Sequence, residues 1–193
     1  GSLDDTVKAV KVDGVEATVD NIKSGDYKIQ RPFNIVTKGE VKELPADFIK
    51  FIMSKDGQKI IEDEGYISVN DNAGAYNASG LKGSITLAGS TSVSPVMEVL
   101  ADKYKELNSG VTIEIQQTGS GAGIQSTTEG VCDIGMASRE LKDEETSQGL
   151  KSEEIALDGI AVIVNKDNGV EDLSMDQIMK IFTGEITNWA DVK

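Results

Sequence analysis

The chain has no histidine among its 193 residues. That absence removes any Ser-His-Asp or Cys-His device built within the chain, and any imidazole metal site. Covalent catalysis by Ser90, Ser92 or Ser120 therefore has no evident general base, and no enzymatic role, metal or cofactor is expected. With a single cysteine no internal disulfide can form, and the redox compartment is left open. Cys132, within Val131-Cys132-Asp133-Ile134, reads as a structural thiol in a buried strand. Aromatic residues make up only 5% of the chain, too few to suggest a base- or sugar-stacking platform. Positive charge is scarce as well, and the formal charge is −14. Nucleic acid or an anionic membrane would need a basic stripe, so neither is expected as a partner. A small anion is not excluded, because neutral donors and local dipoles can hold one. No run approaches the ~20 apolar residues of a spanning helix. No signal peptide is evident, but Gly1 reads as the start of a trimmed segment, so that absence says little.

What remains is an ordinary globular composition, with 38% hydrophobic and 27% charged residues, suited to one domain or one large lobe. Residues 7–12 alternate as a strand and end at the turn pair Asp13-Gly14. Thr18 is placed to cap a short helix over residues 19–23 that stops near Gly25. Residues 32–37 form a second strand. Pro45 opens an amphipathic helix whose apolar positions are Phe48, Ile49, Ile52 and Met53, interrupted at Gly57. A further helical turn or two over residues 58–63 ends at Gly65, and residues 66–69 form a short strand. Residues 70–80 are rich in turn formers and lack apolar periodicity, which marks them as a linker.

Beyond the linker, strands and helices alternate. Strands are expected at residues 85–88, 111–115 and 132–137, with helices at 95–107 and from about Ile124 to Glu129. Residues 157–164 form a nearly continuous apolar run, as in a strand covered on both faces. Ser174 caps a helix over residues 178–182. This order predicts an α/β fold with a mainly parallel sheet flanked by helices. Trp189 reads as a packing residue, and Asp143-Glu144-Glu145 as a solvated helix start on the helix dipole.

Gly89-Ser90-Thr91-Ser92 joins a strand to a helix, and Gly119-Ser120-Gly121 joins the next strand to the next helix. In a doubly wound sheet both junctions lie at the carboxyl ends of strands, where ligands bind. Hydroxyls and free amides at a helix start form an anion cradle. Taken singly, each loop is equally a cap and a tight turn. Gly119-Ser120-Gly121-Ala122-Gly123 lacks the Gly-Lys-Ser/Thr ending of a nucleotide P-loop, and Ser126 stands where the dinucleotide fingerprint has its third glycine. Ser138 and Arg139 follow the third strand at the same edge. Two readings of Arg139 stay open: a surface ion pair with Glu140 or Asp143, or a planar donor to an oxyanion.

Four segments together resemble a known family. They are Ala88-Gly89-Ser90-Thr91-Ser92-Val93-Ser94-Pro95-Val96, Thr118-Gly119-Ser120-Gly121-Ala122-Gly123, Asp133-Ile134-Gly135-Met136-Ala137-Ser138-Arg139 and Ile181-Phe182-Thr183-Gly184-Glu185-Ile186-Thr187-Asn188-Trp189. In this order they are similar to the N-terminal portion of the phosphate-binding proteins of phosphate ABC transporters. Those proteins have the type II periplasmic-binding-protein fold, two α/β lobes closing on one phosphate. Residues 7–69 resemble the C-terminal portion of the same family, through Lys11-Val12-Asp13-Gly14-Val15, Tyr27-Lys28-Ile29-Gln30-Arg31-Pro32-Phe33, and Phe51-Ile52-Met53-Ser54 to Gly65-Tyr66-Ile67-Ser68-Val69.

The resemblance implies that residues 1–193 are a single periplasmic-binding-protein-like lobe, circularly permuted. Residues 1–69 match the family's C-terminal portion, 70–83 are the linker, 84–193 match its N-terminal portion, and the second lobe is absent. Such an order would arise inside a tandem array, and would place Gly1 and Lys193 at the old hinge. Carried over residue by residue, Thr91 and Ser92 with the neighbouring Ser90 match the first phosphate-contacting loop. Ser120 with Gly119 matches the second. Arg139 stands where the family often has an aspartate that accepts a hydrogen bond from protonated phosphate, which leaves phosphate and sulfate in competition. Ser138 is a further candidate donor. The family's Arg-x-x-x-Ser-Gly-Thr loop, half of its site, is missing from this chain. The resemblance thus implies a lobe of an extracytoplasmic receptor for phosphate, tethered as part of a lipoprotein, that serves an ABC transporter permease. It would be a monomer, with a swapped dimer as the minority state, and would bind ligand weakly by itself. The alternative is a non-transport interaction or sensor module that reuses the fold.

Overall fold

Hydroxyl caps and glycines set many of the element ends. Thr18, Ser54 and Ser174 each accept a hydrogen bond from the amide three residues on, at 3.2, 3.2 and 3.1 Å. Ser174 completes a capping box, its own amide donating to the Gln177 side chain at 2.8 Å. The computed structural model describes residues 5–192, so Gly1 and Lys193, expected at a hinge, lie outside the described residues. Its elements are β1 (Val7–Ala9), β2 (Lys11–Val12), α1 (Val19–Lys23), β3 (Gln30–Lys38), α2 (Glu43–Ile52), α3 (Lys55–Asp63), β4 (Ile67–Ser68), β5 (Gly83–Gly89) and α4 (Ser94–Leu107). They continue with β6 (Val111–Gln117), α5 (Ser120–Glu129), β7 (Ile134–Ala137), α6 (Asp143–Thr146), β8 (Leu150–Gly159), β9 (Ile163–Asn165), β10 (Asp172–Leu173), α7 (Met175–Thr183) and a 3-10 turn, Trp189–Asp191.

The chain divides into two compact units, residues 31–158 and residues 1–30 with 159–193. The larger unit is built on a six-stranded sheet in the order β4-β8-β3-β7-β5-β6. The sheet is mixed rather than mainly parallel. β5 runs parallel to β6 and β7, while β3 is antiparallel to β7 and β4 to β8. Helices cover both faces. Phe48, Phe51, Ile61, Met97, Leu100 and Tyr104 from α2, α3 and α4 pack with Phe33, Ile85, Leu87 and Met136 of the sheet. On the other face Ile124 of α5 packs with Val36, Ala137 and Leu150. Asp133 clamps β7 to β5: one of its carboxylate oxygens accepts from the Thr86 amide at 3.0 Å and the Thr86 hydroxyl at 3.1 Å.

Several expectations are corrected. The helix break falls at Met53–Ser54, not at Gly57, which lies in the first turn of α3. Glycine is needed there because a Cβ would come within 2.3 Å of the Phe51 carbonyl oxygen. Cys132 is buried but precedes its strand, and burial pushes its thiol pKa up. The apolar run 157–164 is no single strand: β8 ends at Gly159 and β9 begins at Ile163, where the chain has passed from one unit to the other. Trp189 is half exposed, in a one-turn 3-10 helix with no buried residue.

Among the described residues the smaller unit holds two two-stranded sheets, β1 with β9 and β2 with β10, and its buried side chains include Val10, Val12, Ile22, Tyr27, Val164 and Leu173.

The linker expected at 70–83 is not loose. Asp47 on α2 accepts hydrogen bonds from the hydroxyls of Tyr76 at 2.5 Å, Tyr104 at 2.7 Å and Ser79 at 2.8 Å. The Tyr76 ring packs edge-on against Phe51. Burial alone would raise the Asp47 pKa, but the three hydroxyls outweigh it and hold the carboxyl below the usual range. Asp47→Ala leaves the buried Tyr104 hydroxyl without its acceptor, and is expected to cost about 2–4 kcal/mol of stability at neutral pH. A depressed carboxyl pKa contributes stability above its unfolded value, about 4, and loses it as pH falls through the lower folded value. The gap in urea midpoint between wild type and variant is therefore expected to be full at neutral pH and to close in acid. Urea titrations across that range check this.

Candidate functional site

The parallel register of three strands creates the site. Gly89 at the end of β5 lies opposite Gln117 of β6 on one side and Met136 of β7 on the other. The carboxyl ends of all three strands open at one edge, the edge at which open α/β sheets bind ligands. Ser90, Thr91, Ser92, Gly119, Ser120, Ser138 and Arg139 all follow these strand ends, within the larger unit.

The first loop is built from inside by Ser90, which is only 2% exposed. Its amide donates to the Met136 carbonyl at 2.9 Å, and its hydroxyl oxygen accepts from the amides of Ser92 at 3.3 Å and Val93 at 3.4 Å. Its carbonyl accepts from the Ser94 amide and hydroxyl. Ser90 thus shapes the turn, while Thr91 is exposed and Ser92 half-buried. Gly89 has φ +146°, and a Cβ there would sit 2.1 Å from the Met136 carbonyl oxygen.

The second loop is tied to the first. The amides of Thr118 and Gly119 both donate to the Gly89 carbonyl, at 2.9 and 2.8 Å. α5 begins at Ser120, earlier than the expected Ile124, with Gly119 as its cap at φ +86°. The first bond across the α5 start runs from the Gly123 amide to the Gly119 carbonyl at 3.0 Å. The amides of Ser120, Gly121 and Ala122 come before it, at the positive end of the helix.

The third strand end closes the set. The Ser138 amide donates to the Ser120 hydroxyl oxygen at 3.2 Å, and the two hydroxyls lie 3.4 Å apart. The Arg139 guanidinium donates twice to Glu145, at 2.8 and 2.7 Å, and once to the Glu140 carbonyl at 2.8 Å. Its ion-pair partner is therefore neither Glu140 nor Asp143. The Glu145 side chain is 14% exposed, not solvated, and it also accepts from the Lys142 amide at 2.8 Å. The Arg139 hydrogen bonds hold its carboxyl down to about 2. Buried Asn34 on β3 fixes the backbone here, donating to the Arg139 carbonyl at 3.1 Å.

Sequence reasoning missed Asn34 and Glu145. The spacing from Arg139 to Glu145 crosses a turn, so no helical periodicity announces it. Asn34 comes from a strand far away in the chain.

The edge presents hydroxyls, helix-start amides and a guanidinium whose charge a carboxylate offsets. That set suits an oxyanion bound through neutral donors. Its geometry depends on Gly123, where a Cβ would come within 2.4 Å of the Gly89 Cα and 2.5 Å of the Ala88 carbonyl oxygen. Gly123→Ala is expected to cost about 1–3 kcal/mol, because the contacts are backbone and the helix must move. Gly121→Ala has open space, so it is expected to be neutral or slightly stabilising. Urea midpoints of the two variants, measured side by side, check the contrast.

A family profile described as a PBP superfamily domain matches residues 74–193. Among curated proteins, the chain is 55% identical over its full length to "Phosphate-binding protein PstS 2" of Streptococcus agalactiae serotype V, and spans 66% of that protein's length. Among solved structures, it is similar to a phosphate ABC transporter, phosphate-binding protein from Streptococcus pneumoniae. There the TM-score is 0.95 at 45% identity, covering 100% of this chain and 74% of that one. A putative phosphate ABC transporter substrate-binding protein with bound phosphate, from Clostridium perfringens, is 55% identical with a TM-score of 0.51. That match covers 56% of this chain and 45% of the other. With the family profile covering well over half of its residues, the chain belongs to the PBP superfamily.

Proposed function

We propose that this chain is part of an extracytoplasmic solute-binding protein that holds inorganic phosphate and delivers it to the permease of an ABC transporter. The observation that carries the reading is the meeting of the Thr91, Ser120 and Ser138 loops at one sheet edge. The Ser138 amide and hydroxyl lie against the Ser120 hydroxyl, and the Gly89 carbonyl joins the other two loops. Ser90 and Gly119 shape the loops, while Thr91, Ser92, Ser120 and Ser138 supply hydroxyls. Arg139, held by Glu145, supplies a fixed donor. Relatives named for phosphate binding support the ligand, and lipoprotein tethering completes the proposal. Among the described residues no helix is long and apolar enough to cross a membrane.

The permuted order belongs to the same proposal. The two streptococcal relatives match all of this chain, whereas the Clostridium perfringens protein, although 55% identical, matches 56% of it. Residues 74–193 match the family profile by themselves. This pattern is expected if residues 1–69 occupy another place in the order of most relatives.

The missing Arg-x-x-x-Ser-Gly-Thr loop bears on affinity. Three donors to a charged ligand, at about 1.5–3 kcal/mol each, amount to at least ~4 kcal/mol. A micromolar site corresponds to about −8 kcal/mol. Calorimetry on residues 1–193 is therefore expected to give phosphate affinity far weaker than micromolar, and the longer polypeptide of its relatives' length is expected to recover it. In that longer chain Ser120→Ala is expected to weaken binding by about ten-fold or more. Micromolar binding by residues 1–193 alone would contradict the half-site account. Tighter binding of sulfate would reassign the ligand, and no anion binding by either chain would favour the interaction-module alternative.

A further inference from the structure

Arg139 is held on one side of its guanidinium and open on another. Its Nη1 hydrogens go to the Glu140 carbonyl and to one Glu145 carboxylate oxygen, both at 2.8 Å, and one Nη2 hydrogen goes to the other Glu145 oxygen at 2.7 Å. Left over are the Nε hydrogen and the second Nη2 hydrogen, which point out side by side from one edge of the planar group. Among the described residues neither has a protein acceptor, and the side chain is 35% exposed. Two parallel N–H groups match two oxygens of one carboxylate, phosphate or sulfate. The acceptors along the edge, by contrast, are already filled. Both Glu145 oxygens take a guanidinium hydrogen, and one also takes the Lys142 amide. The Ser90 hydroxyl oxygen accepts from two amides, and the Ser120 hydroxyl oxygen accepts from the Ser138 amide.

We propose that this sheet edge selects the dianionic form of its oxyanion, with the Nε–Nη2 side of Arg139 as a bidentate donor and Glu145 as the positioning residue that keeps that side free. This rests on the oxyanion reading of the edge proposed above, and adds the charge state of the ion it takes. Hydrogen phosphate can turn its bare oxygens to the donors and its single hydroxyl to solvent. Dihydrogen phosphate has a second hydroxyl, whose proton needs an acceptor. At this edge it meets donors or neutral hydroxyl oxygens, which accept about half as strongly as a carboxylate. Sulfate carries no proton near neutral pH and presents every oxygen bare. The Glu145 carboxyl, held down to about 2, stays ionised while phosphate changes charge, and the chain has no histidine. The other charged groups around Arg139 are Glu140, Lys142 and Glu144 on its own segment and Glu154 on β8, while Asn34 on β3 is neutral. Burial, and then Glu140, raise the Glu154 pKa, so its titration calls for a control.

Amide-resolved NMR titrations with inorganic phosphate and with sulfate, at constant ionic strength and on either side of the second ionisation of phosphate, test it. Each anion is compared with itself across pH. Over about two pH units the phosphate dissociation constant read at Ser120 and Ser138 is expected to rise about ten-fold in the more acidic buffer, as the dianion fraction falls. The sulfate constant is expected to stay within about two-fold, because its charge does not change. Arg139→Gln is expected to weaken sulfate by about ten-fold or more, through loss of the charged pair of donors. The pH series uses the unsubstituted chain and decides the matter even if that variant fails to fold. A phosphate constant that does not change with pH, while the edge still shifts, would overturn the inference and leave the oxyanion reading standing. So would sulfate binding unchanged by Arg139→Gln. A sulfate constant that rises in step with that of phosphate would trace the change to a protein group such as Glu154, and would overturn it too. No shift at the edge with either anion would overturn the oxyanion reading, and the inference with it.

Discussion

The closeness with which α5 lies on β5 governs the sheet edge. Gly123 lies on Gly89 and the Ala88 carbonyl with no room for a Cβ, the Met136 backbone fills the space a Cβ on Gly89 would need, and the Gly89 carbonyl accepts two amides from the loop that begins α5. That contact sets where Ser120 stands, and Ser120 in turn anchors the Ser138 amide. The side chains that meet the proposed ligand are thus placed by backbone packing. A small displacement of one helix would move two of the three loops together.

Charge is handled locally. The chain carries a formal charge of −14, yet the edge offers amide hydrogens at a helix start, several hydroxyls and one guanidinium. Glu145 offsets that guanidinium and fixes its direction, leaving an edge that donates hydrogen bonds without much net charge. Such a site selects by direction and number of donors. Phosphate and sulfate stay in competition for such a site, because Arg139 stands in a place where an aspartate acceptor is common in the family this chain resembles.

Much of the fold was legible where a residue type has one dominant local use. Thr18 and Ser174 cap the helices expected of them, and the strand-loop-helix pattern at Gly89 and Gly119 placed both loops at one edge. The start of α5 was not legible, because Ser120, Gly121 and Ala122 are small and carry no apolar period. The sheet's mixed character was hidden because β3 joins β7 from a distant part of the chain. The run over 157–164 misled, since it continues across the boundary between units and apolar content alone cannot show a break. Asp47 gave no signal at all: its partners Tyr76, Ser79 and Tyr104 are 29, 32 and 57 residues away. In the site, the hydroxyl and glycine positions were legible and the fixing partners Asn34 and Glu145 were not, because tertiary contacts have no local spacing.

The larger unit has a sheet covered on both faces and a network that pins its connecting segment. The proposed receptor therefore has one finished jaw in residues 31–158. An amide-resolved NMR titration of the chain with phosphate tests this most directly, since it registers weak binding and locates it. The account predicts shifts concentrated at Thr91, Ser120, Gly121, Ala122 and Ser138. Shifts scattered over lysine-bearing surfaces, or none at millimolar phosphate, would contradict it.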